Sequence, residues 1–231
     1  MDISLHYIER GAGEPLILLH GNGESGDCFS AQLDRFSKDR RVIAPDTRGH
    51  GGSPRGSAPF TIRQFAEDLR AFMDELGLPK ADLLGFSDGG NIALIFALRY
   101  PERVGRLILN GANLDERGVR PSVQLPIRLG YRIASRGARR DPKAKRNAEL
   151  LGLMVNDPNI PPAELGRIRA PTLVIAGTRD MIRRSHTRLI ADSIPGARLV
   201  LLPGNHFIAY RRPEAFNRAV EEFLAETENG G

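Results

Sequence analysis

The sequence predicts an α/β fold with a mostly parallel sheet flanked by helices and a short helical insertion. Short continuous apolar runs alternate with helical stretches along most of the chain. This pattern is typical of parallel strands that are buried on both faces. A Gly-x-Ser-x-Gly pentapeptide stands between one such run and a helix. The alternation stops from residue 111 to 165, where no strand-like run is found.

The composition fits one domain with a substantial core: 231 residues, of which 41% are hydrophobic. No basic region followed by an apolar run opens the chain, and no apolar stretch approaches the about 20 residues of a transmembrane helix. We therefore expect no signal peptide and no membrane partner. Cys28 is the single cysteine, which excludes an internal disulfide and a cysteine-rich metal site. A free thiol fits a cytoplasmic location.

The first half of the chain is predicted to alternate strands and helices. Residues 3–9 alternate enough for an edge strand, and 15–20 form a continuous apolar run typical of a buried strand. A helix is expected over about 27–37 and a strand over 41–46. Thr61 and Gln64 have the spacing of a capping box, which predicts a helix from there to about residue 76.

The second half continues the alternation around one insertion. A central strand begins at residue 81, and the helix after it ends near Tyr100-Pro101. Further strands are expected over 106–110, 171–177 and 197–202, and a last helix over about 213–226. Between residues 111 and 165, two basic helical stretches are predicted, over 123–135 and 142–155. We predict a core made of 1–110 and 166–231, and a helical lid, the lid segment, made of 111–165. The tail 229–231 is expected to fray.

The chain is organised around Gly85-Phe-Ser87-Asp-Gly89. A serine on a sharp strand-to-helix turn needs strained backbone angles, and glycines on both sides remove Cβ atoms where strand and helix pack closely. The turn exposes the Ser87 hydroxyl above the sheet edge. The amide N–H groups at the start of the next helix point toward the same place. This predicts Ser87 as a nucleophile.

A base and an orienting acid follow two later strands. Asp180 comes after the predicted strand 171–177, and His206 comes after 197–202. A hydroxyl nucleophile needs a base, and the base needs a carboxylate to orient it. In open α/β sheets, such residues meet beyond the carboxyl ends of the strands. Asp115, after the strand that ends at Asn110, is the competing acid. His186 falls within a predicted helix and is rejected as the base.

Taken together, these motifs resemble the α/β-hydrolase family over nearly the whole chain. The matching pieces are His20-Gly-Asn-Gly, Asp46-x-Arg48-Gly-x-Gly51-x-Ser53, Gly85-Phe-Ser-Asp-Gly-Gly90, Tyr100-Pro-Glu-Arg103-Val, Pro171-Thr-Leu-Val-Ile-Ala-Gly-x-x-Asp180 and Gly204-Asn-His206-Phe. The chain order Ser87, Asp180, His206 is the order of that family. The elbow sequence is similar to that of small serine carboxylesterases of the valacyclovir-hydrolase-like type.

An oxyanion hole needs two fixed donors. The elbow supplies the backbone N–H of Asp88, and the resemblance implies that the second donor is the backbone N–H of Asn22. In relatives that cleave amino-acid esters, the aspartate after the serine binds the substrate amine, and Asp88 matches that position. A helix N-terminus also favours aspartate without any such role. His20 is a possible substrate contact, although an organising role in its loop is the competing interpretation.

The predicted function is hydrolysis of small-molecule carboxylic esters through an acyl-enzyme. Cleavage of thioesters, lactones or C–C bonds and perhydrolysis remain open, because one triad serves them all. A non-catalytic small-molecule receptor on the same fold is an alternative from another class. We predict no cofactor, no metal site and a monomer or homodimer.

The net charge of +5 is unevenly placed. Residues 115–150 contain ten Lys and Arg against four Asp and Glu, a surplus of +6, which leaves the rest of the chain at −1. Such a patch can attract anionic substrates, although a solvated surface is the simpler interpretation. No aromatic residues are interleaved with the basic ones, which argues against a nucleic-acid partner.

Overall fold

The computed structural model describes residues 1–228, so the predicted fraying of 229–231 lies outside the described residues. It contains seven strands: β1 (Tyr7–Arg10), β2 (Pro15–Leu19), β3 (Arg41–Pro45), β4 (Ala81–Phe86), β5 (Val104–Asn110), β6 (Thr172–Gly177) and β7 (Arg198–Leu202). The helices are α1 (Ser30–Phe36), α2 (Ile62–Glu75), α3 (Asp88–Arg99), α4 (Pro121–Gly137), α5 (Pro142–Asn156), α6 (Arg184–Ser193), α7 (Ile208–Arg211) and α8 (Pro213–Glu228).

The seven strands form one sheet in the order β1-β3-β2-β4-β5-β6-β7. Every neighbouring pair is parallel except β1 with β3, which is antiparallel. The predicted fold class is therefore confirmed. Because β2, β4, β5 and β6 all run the same way, their carboxyl ends meet at one edge of the sheet, where loops from distant parts of the chain come together.

Two apolar layers hold the helices against the sheet. One layer packs α2, α3 and α6 against one face, and the other packs α1 and α8 against the opposite face. All six residues of β4 are buried, as expected for a central strand covered on both sides. The leucines of β4 alternate between the layers, since Leu83 belongs to the first and Leu84 to the second.

The predicted edge strand starts too early. The chain enters the β1–β3 ladder only at Tyr7, although Ile3 and Leu5 are buried. The N–H of His6 donates to the Ser53 hydroxyl at 2.9 Å instead of to a strand. This first stretch is extended and packed, but a loop side chain takes the place of a sheet partner.

Two helix starts differ in detail from the predicted ones. Residues 26–29 form a 3-10 turn, and the α-helix begins at Ser30. At α2, the Thr61 side chain accepts a hydrogen bond from the N–H of Gln64 at 3.1 Å, as predicted. The Gln64 amide does not return this bond and donates to Asp68 at 3.0 Å. The cap is therefore half of the reciprocal capping box.

The lid segment contributes α4 and α5 between β5 and β6. The two helices pack closely along each other. The Gln124 amide donates to the Met154 carbonyl at 3.1 Å, and Asn156 donates to the Tyr131 hydroxyl at 3.1 Å. The division into core 1–110 and 166–231 and lid 111–165 stays a prediction. Among the described residues, no helix is both long and apolar enough to cross a membrane.

The closest approach in the core gives a stability prediction. A Cβ added at Gly89 would lie 1.9 Å from the Leu19 carbonyl oxygen, whereas a Cβ at Gly166 would meet nothing within 4 Å. We expect Gly89→Ala to lower the free energy of unfolding by at least about 3 kcal/mol, because α3 must move off the sheet. Gly166→Ala should change it by less than about 0.5 kcal/mol. Urea unfolding followed by circular dichroism measures both, and equal effects would contradict the argument.

Candidate active site

Ser87 lies at the strained turn between β4 and α3. Its backbone has φ 54° and ψ −118°, which places a non-glycine residue in a sparsely populated region. Two backbone bonds hold it there, because its N–H donates to the Asn110 carbonyl at 2.8 Å and its own carbonyl accepts from the N–H of Asn91 at 3.1 Å. The residue is partly exposed while its neighbours on both sides are buried. The hydroxyl is therefore presented to solvent on a rigid base.

The structure joins Asp180 to His206. The Nδ1 atom of His206 lies 2.7 Å from Oδ1 of Asp180, and both side chains are at most 5% exposed. The same Asp180 oxygen accepts the N–H of Ile182 at 2.8 Å. The carboxylate is thus fixed by its own loop and accepts the Nδ1 proton of the imidazole, which leaves Nε2 as the atom that can take up a proton.

The imidazole of His206 is packed next to the elbow. Its ring centroid lies 4.8 Å from that of Phe86, the residue before Ser87. A Cβ added at Gly111 would lie 2.7 Å from Cε1 of His206, so the ring fits only because that residue is glycine. The Nε2 atom is buried and has no hydrogen-bond partner among residues 1–228. Because Nδ1 contacts Asp180, Nε2 is the ring nitrogen that is left to act as a general base.

Asp115 and His186, the competing acid and the rejected base, make hydrogen bonds away from His206. Asp115 accepts the N–H of Arg117 at 2.7 Å and caps a 3-10 turn. The Nε2 atom of His186 accepts the N–H of Leu114 at 2.9 Å, and burial lowers the pKa of His186. Both side chains thus stabilise the start of the lid segment, and the structure brings neither of them to His206.

The predicted oxyanion donors are both unengaged. Within the described part of the chain, neither the backbone N–H of Asn22 nor that of Asp88 makes a hydrogen bond. The two belong to adjacent loops, because β2 and β4 are neighbouring parallel strands. A Cβ at Gly89 would also lie 2.7 Å from the carbonyl oxygen of His20, so the elbow and the loop after β2 are in close contact. Two free N–H groups at this place can stabilise an oxyanion.

Sequence analysis missed a half-buried carboxylate that shapes the loop of Asn22. Glu24 Oε2 accepts the N–H of Gly21 at 3.1 Å and the hydroxyl of Tyr210 at 3.0 Å. The N–H of Glu24 in turn donates to the Gly21 carbonyl at 3.2 Å. Burial raises the pKa of Glu24. An acidic residue three positions after Gly21 was the available signal, but only the structure shows that Tyr210 reaches it.

His20 is placed beneath the site instead of facing it. It is 1% exposed, its Nδ1 atom lies 2.7 Å from the Gly21 carbonyl, and its Nε2 atom accepts the N–H of Thr47 at 2.9 Å. Burial lowers the pKa of His20 to about 4, so the ring is neutral. The possible substrate contact from His20 stays a prediction, and the geometry favours the organising role, because both ring nitrogens already bind backbone groups.

Asp88 is buried directly beside the nucleophile. It is 7% exposed, and burial raises its pKa to about 7. As the first residue of α3, it also lies in the favourable field of the helix N-terminus, which is worth about 0.3–1 kcal/mol. A rise of this size in pKa shows that desolvation outweighs that field. Asn91 Nδ2 offers one long hydrogen bond, 3.4 Å to Asp88 Oδ1.

A cavity of about 390 Å³ lies between the glycine-rich loop after β3 and the lid helix α5. Its lining combines glycines and an aromatic ring with four charged side chains: Gly49, Gly51, Ser53, Arg55, Phe60, Pro142, Lys145, Arg146, Glu149 and Leu150. Arg55 pairs with Glu149 at 2.8 Å. The side-chain amide of Asn22 donates to the Leu150 carbonyl at 2.7 Å. Because Leu150 lines the cavity, the cavity lies next to the predicted oxyanion loop.

No group of three or more His, Cys, Asp or Glu residues in the described range could hold a metal ion. The cysteine also lacks the surroundings of a reactive thiol, since burial raises the pKa of Cys28 to about 12.

Comparisons with known proteins agree with this geometry. A family model described as "alpha/beta hydrolase fold" matches residues 14–132. The chain is 32% identical to serine hydrolase BPHL of Homo sapiens over 96% of this chain and 83% of that protein. It is 30% identical to a 2-hydroxymuconate semialdehyde hydrolase of Pseudomonas putida, over 95% and 90%. It is also similar to the enol-lactonase structure from Burkholderia xenovorans LB400, with a TM-score of 0.77, 27% identity and coverage of 96% and 97%.

Asp88 should make the stability of the protein depend on pH. An aspartate with a raised folded-state pKa binds a proton in the folded state that it has already lost in the unfolded state. Its contribution to stability therefore falls as pH rises from about 4 to about 7 and stays low above that. Asp88→Asn should remove this pH dependence. At about pH 8, its free energy of unfolding should exceed that of the wild type by on the order of 3 kcal/mol. Urea unfolding at about pH 4.5 and about pH 8 measures this difference.

The control for this prediction is Asp115→Asn, which removes an aspartate carboxyl at the start of the lid segment. That variant keeps a side-chain oxygen that can cap the same turn, and it should not show the gain in stability that Asp88→Asn shows at about pH 8. If the margin between Asp88→Asn and the wild type were the same at both, Asp88 would not be the group that titrates.

Proposed function

The chain belongs to the α/β-hydrolase family, and we propose that it is a serine hydrolase that cleaves carboxylic esters through an acyl-enzyme. The single observation that carries the proposal is the 2.7 Å contact between Asp180 Oδ1 and His206 Nδ1. It orients an imidazole that packs on Phe86, the residue before Ser87, and whose Nε2 has no hydrogen-bond partner among the described residues. An acid, a base and a hydroxyl in this order are what a hydroxyl nucleophile requires.

In the proposed first step, His206 Nε2 removes the proton of Ser87 while the serine oxygen attacks the ester carbonyl carbon. The negative charge that develops on the carbonyl oxygen is stabilised by the backbone N–H groups of Asn22 and Asp88. Asp180 stabilises the imidazolium. When the tetrahedral intermediate collapses, His206 returns the proton to the leaving alcohol, and the acyl group remains on Ser87.

In the second step, a water molecule replaces the alcohol. His206 removes a proton from it, the resulting hydroxide attacks the acyl carbon, and the same two N–H groups stabilise the second oxyanion. Collapse returns a proton from His206 to Ser87 and releases the carboxylic acid. Over the two steps, one ester and one water molecule become one alcohol and one carboxylic acid, and Ser87 and His206 return to their starting states.

Cleavage of C–C bonds or lactones is the second candidate. It is favoured by relatives whose names are 2-hydroxymuconate semialdehyde hydrolase and enol-lactonase. Thioester cleavage and perhydrolysis use the same triad, and a receptor without turnover would keep the fold alone. Rates on matched ester, thioester, lactone and C–C substrates separate these candidates, since a receptor turns over none of them.

The cavity beside α5 favours a substrate with an anionic tail. Among the residues described, Lys145 and Arg146 have no ion-pair partner, and both line the cavity next to Phe60. Two unpaired cations that line one cavity act on the same place and so attract an anion there more strongly than scattered surface cations do, although both side chains are exposed to solvent. The other lid cations, such as Arg139 and Arg140, do not line it.

Removal of the nucleophile tests the main proposal. Ser87→Ala should reduce ester hydrolysis by about 10⁴- to 10⁶-fold, because no other hydroxyl is placed on the elbow. Asp180→Asn should reduce kcat by about 10⁴-fold, whereas Asp115→Asn should leave it within about twofold, since the Asp115 side chain only caps a turn. Steady-state rates on p-nitrophenyl esters measure all three. A larger loss in the Asp115 variant than in the Asp180 variant would sink the assignment of the acid.

Matched charge reversals test the anionic tail. We expect Lys145→Glu with Arg146→Glu to lower kcat/KM by at least about tenfold for an ester with a carboxylate tail, and by less than about twofold for its neutral analogue. Arg139→Glu with Arg140→Glu makes the same change in net charge outside the cavity and serves as the control. If both pairs reduced kcat/KM equally and high salt removed both effects, the cations would act only by long-range steering.

A further inference from the structure

The outer face of α4 carries an unusual row of exposed aliphatic side chains. Leu125, Leu129 and Ile133 are each 60% exposed. They are four residues apart, so they lie one above the other on a single face of the helix. We call these three residues the apolar stripe. No other helix of the described range exposes more than one large apolar side chain to this degree.

The apolar stripe points away from the rest of the protein. The opposite side of α4 packs on α5, where Gln124 and Tyr131 make the contacts with Met154 and Asn156. A Cβ at Gly130 would meet Leu151 of α5 at 3.2 Å. The cavity beside α5 contains no residue of α4 in its lining. A substrate in that cavity therefore does not cover the stripe.

Basic side chains accompany the stripe. Arg132 and Arg136 are exposed and lie on the same side of α4, because they are three and seven residues after Leu129. Arg139 and Arg140 follow in the exposed turn after the helix. Within residues 1–228, none of these four has an acidic group within ion-pair distance. The outer face of the lid segment thus combines aliphatic side chains with unpaired positive charge.

A second copy of the chain fits this surface poorly. A symmetric contact would bring the same arginines against each other, and like charges across an interface are repulsive. Three aliphatic side chains are also far fewer than the about 20–30 residues that each partner contributes to a stable complex. A partner that matches both the apolar stripe and the arginines has a layer of negative charge at its surface and an apolar interior directly beneath that layer.

We propose that the outer face of α4 docks on an anionic lipid surface. The helix lies in the plane of the interface, with the apolar stripe inserted among the acyl chains and the arginines at the phosphate level. Since no described helix can cross a bilayer, the association is peripheral. It is reversible, because the stripe is short and binding needs its two contributions together. This differs from the sequence prediction of no membrane partner, which considered only spanning segments.

Co-sedimentation with vesicles tests the proposal directly and does not depend on the catalytic assignment. The wild-type protein should bind vesicles that contain phosphatidylglycerol and should not bind vesicles of phosphatidylcholine alone. Leu129→Gln with Ile133→Gln should lower the partition coefficient by at least about tenfold, as should Arg132→Gln with Arg136→Gln. High salt should weaken binding of the wild type.

Helix α6 supplies matched controls. Leu189 is its exposed aliphatic residue, at 40%, and Arg184 and Arg188 are exposed at the same four-residue spacing as Arg132 and Arg136. Leu189→Gln, and Arg184→Gln with Arg188→Gln, should leave the partition coefficient within about twofold of the wild type. Circular dichroism and urea unfolding show that each variant is folded.

Three results would overturn the proposal. One is a wild type that does not bind anionic vesicles or binds both vesicle types equally. The second is an equal loss of binding in the α4 and α6 variants, which would indicate net charge without a docking face. The third is a concentration-dependent dimer in light scattering that the variants of the apolar stripe abolish, which would make a second copy the occupant.

Discussion

The contact on which the site depends is the close packing of the elbow helix on the neighbouring strand. A Cβ at Gly89 would lie 1.9 Å from the Leu19 carbonyl oxygen, and one at Gly85 would lie 2.3 Å from the Gly89 carbonyl oxygen. This packing forces the sharp turn between β4 and α3, and the turn forces φ 54° on Ser87. The cost of that conformation, about 1–3 kcal/mol, is offset by the buried strands and helix around it. One constraint thus exposes the hydroxyl and brings the loop of Asn22 against the start of α3.

Asp46 connects that contact to the loops around it. One of its carboxylate oxygens accepts the N–H of Gly26 at 2.7 Å, and the other accepts the N–H of Gly52 at 2.8 Å. The next residue, Thr47, donates its N–H to His20 at 2.9 Å. These bonds link the loop after β2 with the loop after β3 through Asp46 and Thr47, the two residues that directly follow β3. The loop of Asn22 and the wall of the cavity are therefore fixed by one small polar network, in which a neutral His20 is required as an acceptor.

The core of the fold was predictable because it follows from periodicity and from a few glycines. Buried runs such as 15–20 allow little besides a central strand, and the elbow motif dictates its own geometry. The pairing of Asp180 with His206 was also predictable, because parallel strand ends meet at one edge. What could not be predicted depends on contacts between distant side chains. The hydroxyl of Tyr210 reaches Glu24, Ser53 takes the place of a strand partner for His6, and only the fold shows that His20 has no free nitrogen.

The lid shows why a count of charges is weaker than their placement. The sequence places a surplus of +6 on residues 115–150 and treats it as one patch. In the structure, α5 directs Lys145 and Arg146 into the cavity, while α4 carries Arg132 and Arg136 on its outer side beside exposed aliphatic residues. The two helices are packed against each other, so they separate the charges into an inner and an outer set. All four side chains are exposed, but the first pair lines a cavity and the second pair lies on an open helix face. The same composition can therefore serve substrate recognition on one side and surface attachment on the other.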